Sequence, residues 1–172
     1  MPHELAVACL GNQILGDDAF GLLVAKELEG LEGADLLTLQ EGGLDIAIKL
    51  APYTRVLVVD ALETTRGKVG EVLRLSVRKL ASIRGLGGHA MSLAQGLEAL
   101  RLVSGKGPRS VEILVCRIMP VEAYSDKTSP AVRKAAQLCT RIARDWVSCG
   151  GRFPPEGTVA KRLTSAQHSL SV

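Results

Sequence analysis

The chain has 172 residues, 47% of them hydrophobic and 23% charged, which is one domain's length with ample apolar material for a buried core. A net charge of +3, only 3% aromatic residues and no dense basic run exclude a phosphate-tracking stripe or a base-stacking platform, so nucleic acid is not an expected partner. The start MPHELAVACL lacks the basic residues and long apolar segment of a secretory signal, and no stretch reaches membrane-spanning length; a cytoplasmic protein without membrane insertion is expected.

Residues 5–9 (LAVAC) read as a first buried strand, followed by the loop LGNQILGDDAFG at residues 10–21. A glycine-bearing loop between strand and helix usually attracts anions, yet this one carries two adjacent acids, Asp17 and Asp18. Phe20, Leu23, Val24, Leu28 and Leu31 recur at helical spacing, with Asp17 or Asp18 as the expected cap. Residues 36–39 form a second expected strand, ending at Glu41-Gly42-Gly43, and residues 44–50 a short helix stopped by Pro52. The run RVLVVDA gives a third strand over residues 56–59, ending at Asp60. Residues 69–76 (VGEVLRLS) alternate, as a half-exposed strand at a sheet edge does.

Gly87-Gly88-His89 opens another helix, marked by Leu93, Leu97 and Leu100, and residues 111–116 (VEILVC) are the last core strand. Ser129 is the expected N-cap and Pro130 the first residue of a long final helix, with Val132, Ala135, Ala136, Cys139, Ile142, Ala143 and Trp146 on one face. Residues 151–172 lose the pattern, so the expected organisation is a single domain over residues 1–150 with a flexible C-terminal tail over residues 151–172. Cys9, Cys116, Cys139 and Cys149 have neither zinc-ribbon nor disulfide-framework spacing and read as buried reduced thiols. The alternation predicts an α/β fold: a three-layer sandwich with a mainly parallel twisted sheet of about five strands and helices on both faces.

In such a sheet, ligand sites form beyond the carboxyl ends of the strands. Asp18 follows strand one, Glu41 strand two and Asp60 strand three, and His89 opens a helix feeding back to the same layer. Two carboxylates about 5 Å apart at an effective dielectric of ~20 repel by ~3 kcal/mol, so both stay ionised only beside a cation or a protonated imidazole. Carboxylate, carboxylate and imidazole suit a divalent transition metal better than phosphate. Taken singly, each residue has a plainer role: the paired acids as first-turn helix residues, Asp60 and His89 as caps, Glu41 as a turn residue.

Gly11-Asn12, then Asp17-Asp18-Ala19-Phe20-Gly21, resembles the opening motif of the hydrogenase maturation proteases, endopeptidases that trim the C-terminus of the nickel–iron hydrogenase large subunit. The resemblance continues through Glu41-Gly42-Gly43, Val58-Val59-Asp60-Ala61, Gly88-His89, Ile118-Met119-Pro120 and Ser129-Pro130-Ala131-Val132, spanning nearly residues 5–147. It implies that Asp18, Asp60 and His89 are the catalytic, metal-facing set, directed at nickel carried by the substrate precursor, while Glu41, Gly42 and Gly43 line the peptide cleft. It further implies the large-subunit precursor as partner, with another divalent ion as an option in the isolated protein; a monomer is expected. The sequence departs from the family pattern in having Asp18 where Glu is frequent, Ala19 for a usual Gly, Leu44 for a small polar residue, and Arg117 where a small residue is usual.

How the peptide bond breaks stays open between a carboxylate acting as general base on water and the substrate's metal polarising water or carbonyl. No Ser or Cys sits in a recognisable nucleophile elbow. The alternative is a phospho-receiver-like signalling module with an acidic metal site, but its acids would follow strand one directly, and its lysine after the last core strand is absent from CRIMP. A dinucleotide-binding turn fits less well, since Gly11, Gly16 and Gly21 are spaced by five and the acids would repel a pyrophosphate.

Overall fold

A computed structural model describes residues 4–78, 89–121 and 124–153, with the side chains of residues 89–92 outside that description. In chain order the elements are β1 (Leu5–Leu10), α1 (Phe20–Glu27), β2 (Asp35–Leu39), α2 (Gly43–Leu50), β3 (Arg55–Glu63), β4 (Val72–Ser76), α3 (His89–Ser104), β5 (Ser110–Ile118) and α4 (Pro130–Ser148). The sheet order is β2-β1-β3-β5-β4. Every pair is parallel except β4 with β5, so the alternating segment is an antiparallel edge strand, as its pattern predicts.

The central strands read as continuous apolar runs because both faces are covered. Val7, Cys9, Leu57, Val59, Leu114 and Cys116 face the layer of α1 and α4, which contributes Phe20, Val24, Val132, Cys139 and Trp146. Ala6, Ala8, Leu10, Val56, Val58, Ile113 and Val115 face the opposite layer, where Ile46 and Leu50 of α2 and Leu93 of α3 pack. The three-layer α/β sandwich expected from the sequence is the observed one.

Ser129 caps α4, its hydroxyl accepting the Val132 N–H at 3.3 Å, and Pro130 follows in the first turn. At the first loop the outcome differs from expectation. The cap of α1 is Ala19, with no side-chain bond, and Asp17 and Asp18 lie in a preceding 3₁₀ turn, Gly16–Ala19. The cause is Gly16, whose φ of 56° turns the chain and whose N–H donates to the Ser125 carbonyl at 2.7 Å. β3 likewise does not end at Asp60: it pairs residue for residue with the equally long β5, from Arg55↔Ser110 to Glu63↔Ile118.

Cys9, Cys116 and Cys139 are buried as expected, whereas Cys149, just past α4, is exposed. Burial pushes the Cys9 and Cys116 thiols up to about 12, which keeps both protonated and poorly nucleophilic. After α4, Gly151 is buried and Phe153 packs on the core with the Arg74 guanidinium 4.1 Å above its ring; the rest of the expected tail, residues 154–172, lies outside the described residues. Among the described residues no helix is long and apolar enough to cross a membrane.

Candidate functional site

The parallel strands β1, β2 and β3 deliver their carboxyl ends to one edge, and the acids predicted to converge there do so in part. Asp60 lies on β3 opposite Val115 and is only 1% exposed. Strand alternation places it on the face of Val58 and Leu62, the face covered by α2 and α3. Burial pushes its carboxyl up to about 8, the nearby Asp18 charge raises it further, and the Ala61 N–H, donating to Oδ1 at 2.8 Å, opposes both. Burial and the Asp18 charge therefore favour the protonated form of Asp60 at neutral pH.

The adjacent acids diverge. Asp18, half-buried, acts electrostatically on Asp60. Asp17 turns to the other layer: its Oδ1 accepts the Ser129 N–H at 2.6 Å, and its charge adds to the burial that raises the Cys116 thiol. One carboxylate is thus spent on the start of α4 while the other attends the buried acid.

Glu41 sits after β2, ion-paired with Lys49 and accepting the Gln40 N–H at 3.0 Å; chiefly the Lys49 hydrogen bond holds its carboxyl below the usual range. Gly42 is the extended N-cap of α2, and Gly43 is its buried first residue. An ideal Cβ on Gly96 of α3 would lie 2.3 Å from the Gly43 carbonyl oxygen, so α3 can cross the first turn of α2 only because residue 96 has no side chain. The helix that opens at His89 is locked in this way to Glu41-Gly42-Gly43. The His89 backbone begins α3, on the same face of the sheet as Asp60; its side chain, and Gly87 and Gly88, lie outside the described residues.

Sequence reasoning missed a groove of about 800 Å³ on the α4 side of the same edge, lined by Leu15, Asp17, Met119, Pro120, Ser129 and Arg133 among others. Its walls join where Gly16 and Ser125 pair, the Ser125 N–H also donating to the Ile14 carbonyl at 3.0 Å. The Met119-Pro120 pair was the available signal, but nothing local ties it to a loop more than a hundred positions earlier.

Among the described residues no three His, Cys, Asp or Glu side chains are gathered as a metal centre. The Asp18 charge acts on the buried Asp60 carboxyl, so the two acids lie near one another.

A family model described as hydrogenase maturation protease (HycI) matches residues 24–146. The chain is similar in structure to the maturating endopeptidase HybD of Escherichia coli, with 20% identity over 86% of this chain and 94% of that one at a TM-score of 0.65. It is also similar to the [NiFe] hydrogenase maturation protease HybD of Thermococcus kodakarensis (22% identity, 86% and 99% covered, TM-score 0.66) and to the Escherichia coli endopeptidase HycI (20%, 92% and 100%, 0.63). A sequence comparison with curated proteins gave no match.

Proposed function

The chain belongs to the hydrogenase maturation protease family, a family of endopeptidases, and on that premise we propose that it removes the C-terminal extension of a nickel-loaded hydrogenase large-subunit precursor. Membership in this family displaces the signalling alternative. The observation that carries the proposal is the Asp60 carboxyl, buried at the carboxyl edge of the sheet and held protonated by burial and by Asp18. A buried acid kept neutral beside a second carboxylate is set to ionise when a cation arrives.

Asp18, Asp60 and His89 are the proposed catalytic and metal-facing residues. Half-buried Asp18 meets the precursor's nickel first, buried Asp60 releases its proton as it joins, and His89 completes an O/O/N set from the start of α3. Nickel is cargo of the substrate, so a precursor lacking it leaves the two acids uncompensated. Glu41, Gly42 and Gly43 are the proposed wall for the peptide. Hydrolysis adds water across the peptide bond, with a carboxylate or the substrate's metal activating that water. The enzyme in this proposal is a cytoplasmic monomer with a single catalytic domain.

The test is mass spectrometry of a nickel-loaded precursor before and after incubation with the protein. Loss of a C-terminal fragment is expected; an unchanged mass overturns the proposal.

A further inference from the structure

Arg117 is 4% exposed, a guanidinium buried near the carboxyl end of β5. It pairs in register with Leu62, and alternation places it on the face of Val115, the same face as Asp60. Among the described residues, the charge that acts on Asp60 is that of Asp18. Arg117 is committed instead to the chain between β3 and β4. Nε lies 3.1 Å from Glu71 Oε2, and Nη1 donates to the Arg66 carbonyl at 2.6 Å.

The loop is shaped to receive it. An ideal Cβ on Gly67, at φ 85°, would lie 1.7 Å from Arg117 Nη1, so the backbone rests directly on the guanidinium. Gly70 N–H donates to the Arg117 carbonyl at 2.9 Å, and Thr64 N–H to that of Ile118 at 3.0 Å. On its other side Gly70 abuts α4: a Cβ there would be 2.9 Å from the Ala131 carbonyl, two residues beyond the Ser129 N–H that Asp17 holds. Residues 64–70 therefore stand fixed between the buried Arg117 and the first turn of α4.

A buried cation is a costly way to hold a loop, and fold stability alone does not require one, since an apolar residue of similar volume often serves as well. What it holds is the exposed pair Arg66 and Lys68, neither of which makes an ion pair among the described residues. The edge thus carries two opposite charge centres: acids at Asp18 and Asp60 that suit a cation, and a rigid basic arm just beyond the end of β3. We propose that the β3–β4 loop is a recognition arm for an acidic segment of the precursor, presented by Arg117 as a positioning residue. This rests on the protease function proposed above. A substrate with a metal at one point and acidic residues at another meets the enzyme in one orientation only, and complementary exposed charges act mainly on encounter and docking.

The test is the double substitution Arg66→Glu with Lys68→Glu, two exposed positions outside the proposed catalytic set, assayed for cleavage of nickel-loaded precursor over a range of precursor concentrations. KM is expected to rise ~10-fold or more with kcat within about twofold, and the difference to shrink in high salt. Arg117→Met is expected to raise KM as well and to speed hydrogen exchange of residues 64–70 while the central strands keep their protection. An unchanged KM in the double variant, with the wild-type enzyme active, overturns the recognition arm alone. Unchanged exchange and KM in Arg117→Met overturn the positioning role. A wild-type protein that leaves the precursor intact overturns the protease function and the arm together.

Discussion

Asp17 Oδ1 accepts the backbone N–H of Ser129 at 2.6 Å, joining the first loop to the start of α4 across 112 positions of sequence. Ser129 is itself the α4 cap, so the carboxylate extends the capping arrangement outward by one residue and favours the positive end of that helix. Asp17→Ala is expected to cost about 1–3 kcal/mol of stability, the usual range for a charge-assisted bond, and Asp17→Asn less, because an amide oxygen still accepts. Chemical denaturation with an unchanged midpoint in Asp17→Ala would contradict this role.

Asp60 is expected to make stability depend on pH. Its carboxyl is raised from 3.8 to about 8 by burial first and Asp18 second, so the folded chain keeps a proton that the unfolded chain releases near pH 4. Stability from this group is full below about pH 4 and is lost as pH rises toward 8, by on the order of a few kcal/mol in the cation-free protein. Asp60→Asn removes the titration and is expected to flatten the melting temperature between pH 5 and 8. A wild-type profile retained in Asp60→Asn would contradict the assignment.

The same proton should appear in metal binding. A divalent transition ion titrated into the isolated protein at pH 7 is expected to displace about one proton as Asp60 ionises, read by calorimetry in buffers of different ionisation enthalpy. Affinity is expected to climb as pH rises toward 8 and to fall in His89→Ala. Binding without proton release, or undiminished in His89→Ala, would contradict the proposed ligand set.

Gly96 offers a steric test. A methyl group there meets the Gly43 carbonyl at 2.3 Å, and backbone cannot yield as a side-chain tip does. Gly96→Ala is expected to lower stability by about 1–3 kcal/mol through forced separation of α3 from α2, and to reduce cleavage by shifting His89 against Glu41-Gly42-Gly43. A melting temperature and activity equal to wild type would show that the helices part without consequence.

The layers of the fold were legible because apolar runs and helical stripes are local signals: VEILVC, the alternation before β4 and the Ser129-Pro130 start of α4 each mark their element within a few residues. The strand ends were less so, since β3 continues past Asp60 only because β5 is long enough to pair with it, a property of two segments about fifty positions apart. Asp18 and Asp60 could be nominated from their place after strands, but the opposite duties of Asp17 and Asp18 could not. What separates them is Ser129 on one side and a buried carboxyl on the other, both distant in sequence. Arg117 was visible only as a departure from the family pattern, one residue past the expected strand; its partners Arg66, Gly67 and Glu71 come together through the loop that carries the chain from β3 to β4.

The most direct measurement compares Asp18→Asn with Asp17→Asn on nickel-loaded and metal-free precursor by mass spectrometry, with circular dichroism showing that both variants fold. The expected result is cleavage of nickel-loaded precursor by wild type and Asp17→Asn, none by Asp18→Asn, and none of metal-free precursor by any of them. Normal processing by Asp18→Asn beside an inactive Asp17→Asn would reverse the roles of the two acids, and equal cleavage of metal-free precursor would contradict nickel recognition by Asp18, Asp60 and His89.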